Sequence, residues 1–81
     1  MKRKKLYRPE VERANKIIGN RIRKLRKVNK ISAVTLGKVL DVSSQVIFQY
    51  EKGVYSIRAA DLVIIAKALN RPVSYFFLEV E

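Results

Sequence analysis

The segment "SAVTLGKVLDVSSQVIFQYEKG", residues 32–53, restricts the fold more than any other part of the chain, because it carries its own helix starts and stops. Ser32 and Ser43 are good N-caps, since a serine hydroxyl oxygen accepts a hydrogen bond from a free amide of the first helical turn. Asp41 tolerates the left-handed backbone that a tight turn requires, and Gly53 is suited to ending a helix. These residues predict two short helices, about Ala33–Leu40 and Ser44–Lys52, joined by a tight turn. The second holds two polar amides, Gln45 and Gln49, and an aromatic, Phe48, where a purely structural helix would pack apolar groups.

The rest of the chain also reads as helix, with no clear alternating strand. Val11, Ala14, Ile18, Ile22 and Leu25 recur at helical spacing and fall on one stripe of a helix over about Pro9–Val28. Pro9 suits the first helical position, and Glu10 and Glu12 suit the positive end of the helix dipole. Gly19 lies inside this helix and is a candidate break. Arg13, Lys16, Arg23, Lys24 and Lys27 fall on the opposite face. A fourth helix is expected over about 59–69, and apolar residues surround it (Leu62, Val63, Ile64, Ile65, Ala66, Leu69), which predicts the central, most buried helix. Asn70 suits a left-handed C-cap, and Pro72 starts a last short helix. There Val73, Phe76, Phe77 and Val80 are expected to dock on the core, leaving Tyr75 and Leu78 pointing elsewhere.

Composition bounds the function. A chain of 81 residues makes one small domain. It has neither cysteine nor histidine, which removes disulfides, thiolate nucleophiles and the usual zinc sites. Among its seven acids no pair sits on one helix face opposite an obvious pocket. The chain therefore reads as a non-enzyme with no metal, no cofactor and no evident small-molecule ligand. No apolar run reaches the roughly 18–20 residues of a membrane span. "MKRKKLYRPEVER" has a basic opening with no apolar stretch behind it, unlike a secretory signal. A cytoplasmic, nucleoid-associated location is expected. Residues 1–30 hold thirteen Lys or Arg against Glu10 and Glu12, whereas residues 31–81 hold five of each sign, so the whole formal charge of +11 lies in the first thirty residues. Such asymmetry points to a polyanion, nucleic acid before anionic lipid.

Two short helices joined by a tight turn, with a basic helix in front, form the pattern of a helix-turn-helix. "IGNRIRKLRKVNKISAVTLGKVLDVSSQVIFQYEKG" followed by "LVIIAKALNRPVSYFF" resembles the phage-repressor and Cro-type, lambda-repressor-like helix-turn-helix family. The resemblance rests on the basic run of the first helix, the serine-capped second helix, the "VS" cap, the E-x-G close to the third helix and the "IAKAL" of the fourth. It covers residues 18–78, and residues 1–17 form a basic N-terminal arm and an extension of the first helix. It implies a compact five-helix all-α bundle that binds double-stranded DNA as a transcriptional regulator of repressor type, commonly as a homodimer. Three positions depart from the family's pattern. Ala33 stands where a glutamine often meets a phosphate, Gly37 replaces a small alanine, and Asp41 replaces the turn glycine.

Advancing about 100° per residue from Ser44 puts Gln45, Phe48 and Gln49 on one arc with Ser44, with Val46, Ile47, Tyr50 and Glu51 on the other side. By resemblance the first arc enters the major groove. A glutamine amide can pair with N6 and N7 of adenine, Ser44 can bond a base or a phosphate, and Phe48 can pack on a thymine methyl. By resemblance, too, Glu51 pairs with Arg26 and ties the recognition helix to the basic helix. Ser32, Lys38, Lys52 and Arg58 are candidate phosphate contacts, and Lys4 and Lys5 of "KRKK" resemble an arm that follows a minor groove or tracks phosphates. Tyr75 and Leu78 are the candidate dimer contact. An antitoxin-type module that masks a partner protein and regulates its own operon is the alternative, and an RNA binder is a third reading that lacks an exposed aromatic platform.

Overall fold

The computed structural model describes residues 9–78. All regular structure among them is helical: α1 (Pro9–Val28), α2 (Ala33–Leu40), α3 (Ser44–Lys52), α4 (Ala59–Ala68) and a short 3-10 helix, Val73–Phe77. Lys4, Lys5, Val80 and the "KRKK" run lie outside the described residues.

The helix ends follow local chemistry. The Ser32 hydroxyl accepts from the Thr35 amide at 3.0 Å, and the Ser43 hydroxyl accepts from the Val46 amide at 3.3 Å. Asp41 closes α2 at φ 61° and Gly53 closes α3 at φ 77°, both left-handed. Asn70 takes the same conformation after α4, at φ 62°. Lys30 also does so, at φ 58°, where no sequence signal marks it. Its turn is held by the Ile31 amide donating to the Arg26 carbonyl at 3.0 Å.

α3 packs against α1 and α2, α4 against α2, and the 3-10 helix closes the far side against α1 and α4. The core is shared by all five elements: Ile22, Leu36, Ile47, Ile65, Leu69 and Phe76 are its fully buried large side chains. Asn29 fastens the end of α1 to the end of α4, donating to the Leu25 carbonyl at 2.7 Å and the Leu69 carbonyl at 3.4 Å.

Four sequence expectations change. Gly19 does not break α1, which runs unbroken from Pro9 to Val28. It is the contact point for α3: a Cβ there would strike the backbone carbonyls of Tyr50 and Glu51. The fifth element is a 3-10 helix rather than an α-helix. In that geometry consecutive residues lie about 120° apart, so only every third residue shares a face. Phe76 is therefore fully buried with Val73 beside it, while Phe77, expected in the core, is 50% exposed. Finally, α4 is not apolar-enclosed. Leu62, Ile65 and Ala66 are buried, but Val63 and Ile64 stand 52% and 40% exposed, because its neighbours cover only one side.

Candidate nucleic-acid interface

The two helices α2 and α3 meet at a closely fitted turn. A Cβ on Gly37 would lie 2.5 Å from the Val42 carbonyl oxygen, so even alanine is too large there. Glycine is thus required by the turn's backbone, at a cost in helix propensity. Ala33, which stands where a glutamine is common in the resembling family, is buried in the core and offers no polar group.

α3 is fixed from beneath by one ion pair. Arg26 of α1 donates from Nε to Glu51 Oε2 at 2.6 Å and from Nη2 to Oε1 at 3.1 Å. Its Nη1 donates to the Ile31 carbonyl at 3.1 Å. Both side chains are almost wholly withdrawn from water, and among the described residues no buried side-chain polar atom lacks a partner. The hydrogen bonds that Arg26 donates to Glu51 hold its guanidinium above its ordinary pKa, outweighing the opposing effect of burial. This pair ties α3 to α1.

The outward arc of α3 then carries Ser44, Gln45, Phe48 and Gln49. Gln45 and Phe48 are exposed, while Ser44 and Gln49 are half-buried. On the other side Ile47 and Glu51 are buried, with Val46 and Tyr50 half-buried. Phe48 is not simply free: the Arg26 guanidinium carbon lies 5.8 Å from its ring centroid. Sequence spacing gave no signal for this contact, because the two residues lie on different helices.

Cations flank this arc. Lys38 and Lys52 are exposed on α2 and α3. Arg58 precedes α4 and is exposed, with its Nε 3.4 Å from Asp61 Oδ2. Ser32 is exposed, but its hydroxyl is engaged with Thr35 through both the amide and the Thr35 hydroxyl. A broad groove of about 810 Å³ runs along another flank of α1, lined by Arg13, Lys16, Arg21 and Lys24 with Ile17 and Tyr75. Tyr75 is half-buried there: its carbonyl accepts from Arg21 at 3.2 Å, and its ring meets Phe76 edge-on and lies beside Arg71. Leu78 is exposed. Among the described residues no cluster of acids could hold a metal ion, and no helix is long and apolar enough to cross a membrane.

Two short capped helices, a glycine-fitted turn and an outward amide-bearing face braced by a buried ion pair define a helix-turn-helix protein. Residues 22–76 match the family described as helix-turn-helix, and the chain belongs to that family, in its lambda-repressor-like branch. It is 37% identical over 67 residues to an uncharacterised HTH-type transcriptional regulator of Rickettsia conorii, covering 83% of this chain and 54% of that protein. It is 43% identical over 60 residues to another from Sinorhizobium fredii, covering 74% of this chain and 42% of that protein. The chain thus spans about half the length of these relatives. Among solved structures it is similar to the P22 c2 repressor, crystallised with the synthetic operator 9T in the presence of Tl+. That match has a TM-score of 0.69 and 34% identity, and it covers 79% of this chain and 96% of that one.

Proposed function

We propose that this chain is a sequence-specific double-stranded DNA-binding transcriptional regulator of repressor type, with α3 lying in the major groove. One observation carries the reading. The polar arc Ser44, Gln45, Phe48 and Gln49 projects from a helix whose opposite side is locked to α1 through Arg26 and Glu51. A helix held at a fixed angle can present amide groups to base edges with little loss of freedom on binding. The similarity to a repressor solved with its operator supports the same use of the fold.

In this reading Gln45 and Gln49 read bases, Ser44 bonds a base or phosphate, and Phe48 makes an apolar contact. Lys38, Lys52 and Arg58 grip phosphates on either side, with the amides around Ser32 and Ala33 at the start of α2. Lys4 and Lys5 add a basic arm. The protein acts as a homodimer on a roughly palindromic site, its two-fold contact built around Tyr75 and Leu78. Selection of bound duplexes from a random pool tests the proposal. A converged sequence bound more tightly than random duplex at fixed salt supports it, whereas equal affinity for every duplex, or preference for RNA, overturns it.

A further inference from the structure

The amino-terminal half of α1 is long for what it buries. The buried residues of this helix are Gly19, Ile22, Leu25 and Arg26, so none lies in the turns from Pro9 to Ile18. Those turns also precede residues 22–76, which match the family. Ordering helical turns costs conformational entropy that burial normally offsets. These turns reach the loop between α3 and α4 instead. Asn15 Nδ2 donates to Ser56 Oγ at 2.9 Å, across 41 residues of chain. A Cβ on Gly53, where that loop begins, would lie 2.8 Å from both the amide nitrogen and the Cα of Lys16, so the backbone of α1 presses against it. Asn15 and Ile18 share a small cleft of about 130 Å³ with Tyr55 and Ile57 of the same loop. Arg58 follows two residues after Ser56. Its side chain is exposed, and its Nε stands 3.4 Å from Asp61 Oδ2, a contact too exposed to fix it firmly. Where the guanidinium stands therefore depends on where the loop places the backbone.

We infer that Asn15 is a positioning residue for DNA binding: through its hydrogen bond to Ser56 it fixes the loop between α3 and α4, and so holds Arg58 where it meets a phosphate beside the recognition helix. This rests on the DNA-binding reading above and goes beyond it by giving the first turns of α1 a use. An exposed hydrogen bond adds little to the stability of the fold. It restricts the loop before DNA arrives, so less freedom is lost when Arg58 engages the backbone. Asn15 acts through Ser56 and Arg58 and does not itself touch DNA.

The test uses the full chain and a duplex that the wild type selects. Asn15→Ala weakens binding to it about five-fold, the effect of one such hydrogen bond. Its Tm does not fall, because alanine is the better helix former. Ser56→Ala gives the same loss, the two changes together give no more than either alone, and Ser56→Thr, which keeps the hydroxyl, binds like the wild type. Arg58→Ala weakens binding and lowers the salt slope by about one. Adding Asn15→Ala to Arg58→Ala then changes nothing further, since no cation is left for the loop to place. A general loss of folded protein would instead multiply with Arg58→Ala. Unchanged binding in Asn15→Ala, a full further loss on the Arg58→Ala background, or a loss that adds to that of Ser56→Ala overturns the inference. So does a selected duplex that Arg58→Ala binds as the wild type does, which removes the phosphate contact while leaving DNA binding intact. If no duplex can be selected, the DNA-binding reading falls, and this inference with it.

Discussion

Arg26 and Glu51 form a two-pronged pair between α1 and α3, with Nε to Oε2 at 2.6 Å and Nη2 to Oε1 at 3.1 Å, almost out of reach of water. A buried pair of this kind is costly to halve, because removing one partner leaves the other charge buried and unmatched. Arg26→Met or Glu51→Gln alone is expected to destabilise the fold by about 3–5 kcal/mol, with a double variant less destabilised than the two singles combined. Denaturant melts of the three variants measure this, and strict additivity would show that the pair is not coupled. Because Arg26 sits above its ordinary pKa, its share of the stability is complete below the unfolded-state value. It is lost only as pH rises through the higher folded-state value, so that share does not vary across the neutral range.

Gly19 and Gly37 give a test with an unusual sign. Glycine to alanine inside a helix ordinarily adds up to about 1 kcal/mol of stability. Here a Cβ on Gly19 meets the carbonyls of Tyr50 and Glu51, and one on Gly37 meets the Val42 carbonyl at 2.5 Å. Backbone cannot swing aside as a side chain does. Gly19→Ala and Gly37→Ala are each expected to be net destabilising by about 1–3 kcal/mol. A rise in Tm for either would mean that these close approaches relax without cost.

Phe76 and Phe77 are adjacent and chemically identical, yet one is fully buried and the other half-exposed. Phe76→Ala is expected to cost about 3–5 kcal/mol. Phe77→Ser should cost clearly less, about 1–2 kcal/mol, because only half of its ring is covered. Comparable losses in thermal melts would return both rings to the core and restore an α-helical reading of this segment.

Gln45→Ala and Gln49→Ala are each expected to weaken binding to the selected duplex by about 1–3 kcal/mol and to relax base preference at one position. Titrations against selected and random duplex at one salt concentration separate the possibilities. An equal loss on both duplexes would assign these residues to the phosphate backbone.

The homodimer reading makes Leu78 the cleaner probe, since it is exposed, whereas Tyr75 is half-buried against Phe76. In sedimentation at micromolar concentration the wild type is expected to be dimeric, and Leu78→Asp is expected to be a folded monomer whose Tm falls only by the contribution of association. Tyr75→Asp should also dissociate, with some loss of stability from its contacts to Phe76 and Arg21. A dimer indifferent to both charges would move the two-fold contact elsewhere.

The amino-acid sequence by itself determined the helix boundaries of the motif. Ser32, Asp41, Ser43 and Gly53 act on backbone groups within a few residues of themselves, so their effect does not wait for the rest of the fold. The outward arc of α3 was legible for the same reason, since helical periodicity is local. The partnership of Arg26 with Glu51 came only through resemblance, because two residues twenty-five apart share no local signal. What the tertiary structure alone decided is where helices touch and what remains uncovered. Gly19 read as a weak point in a helix until α3 was laid across it. Val63 and Ile64 read as core until α2 and the 3-10 helix were found to cover only the other side of α4. Phe48 read as an outward aromatic able to pack on a thymine methyl, and only the fold brought the Arg26 guanidinium of α1 against its ring. In each case burial belongs to pairs of elements rather than to either one, so no pattern within a single helix could have carried it.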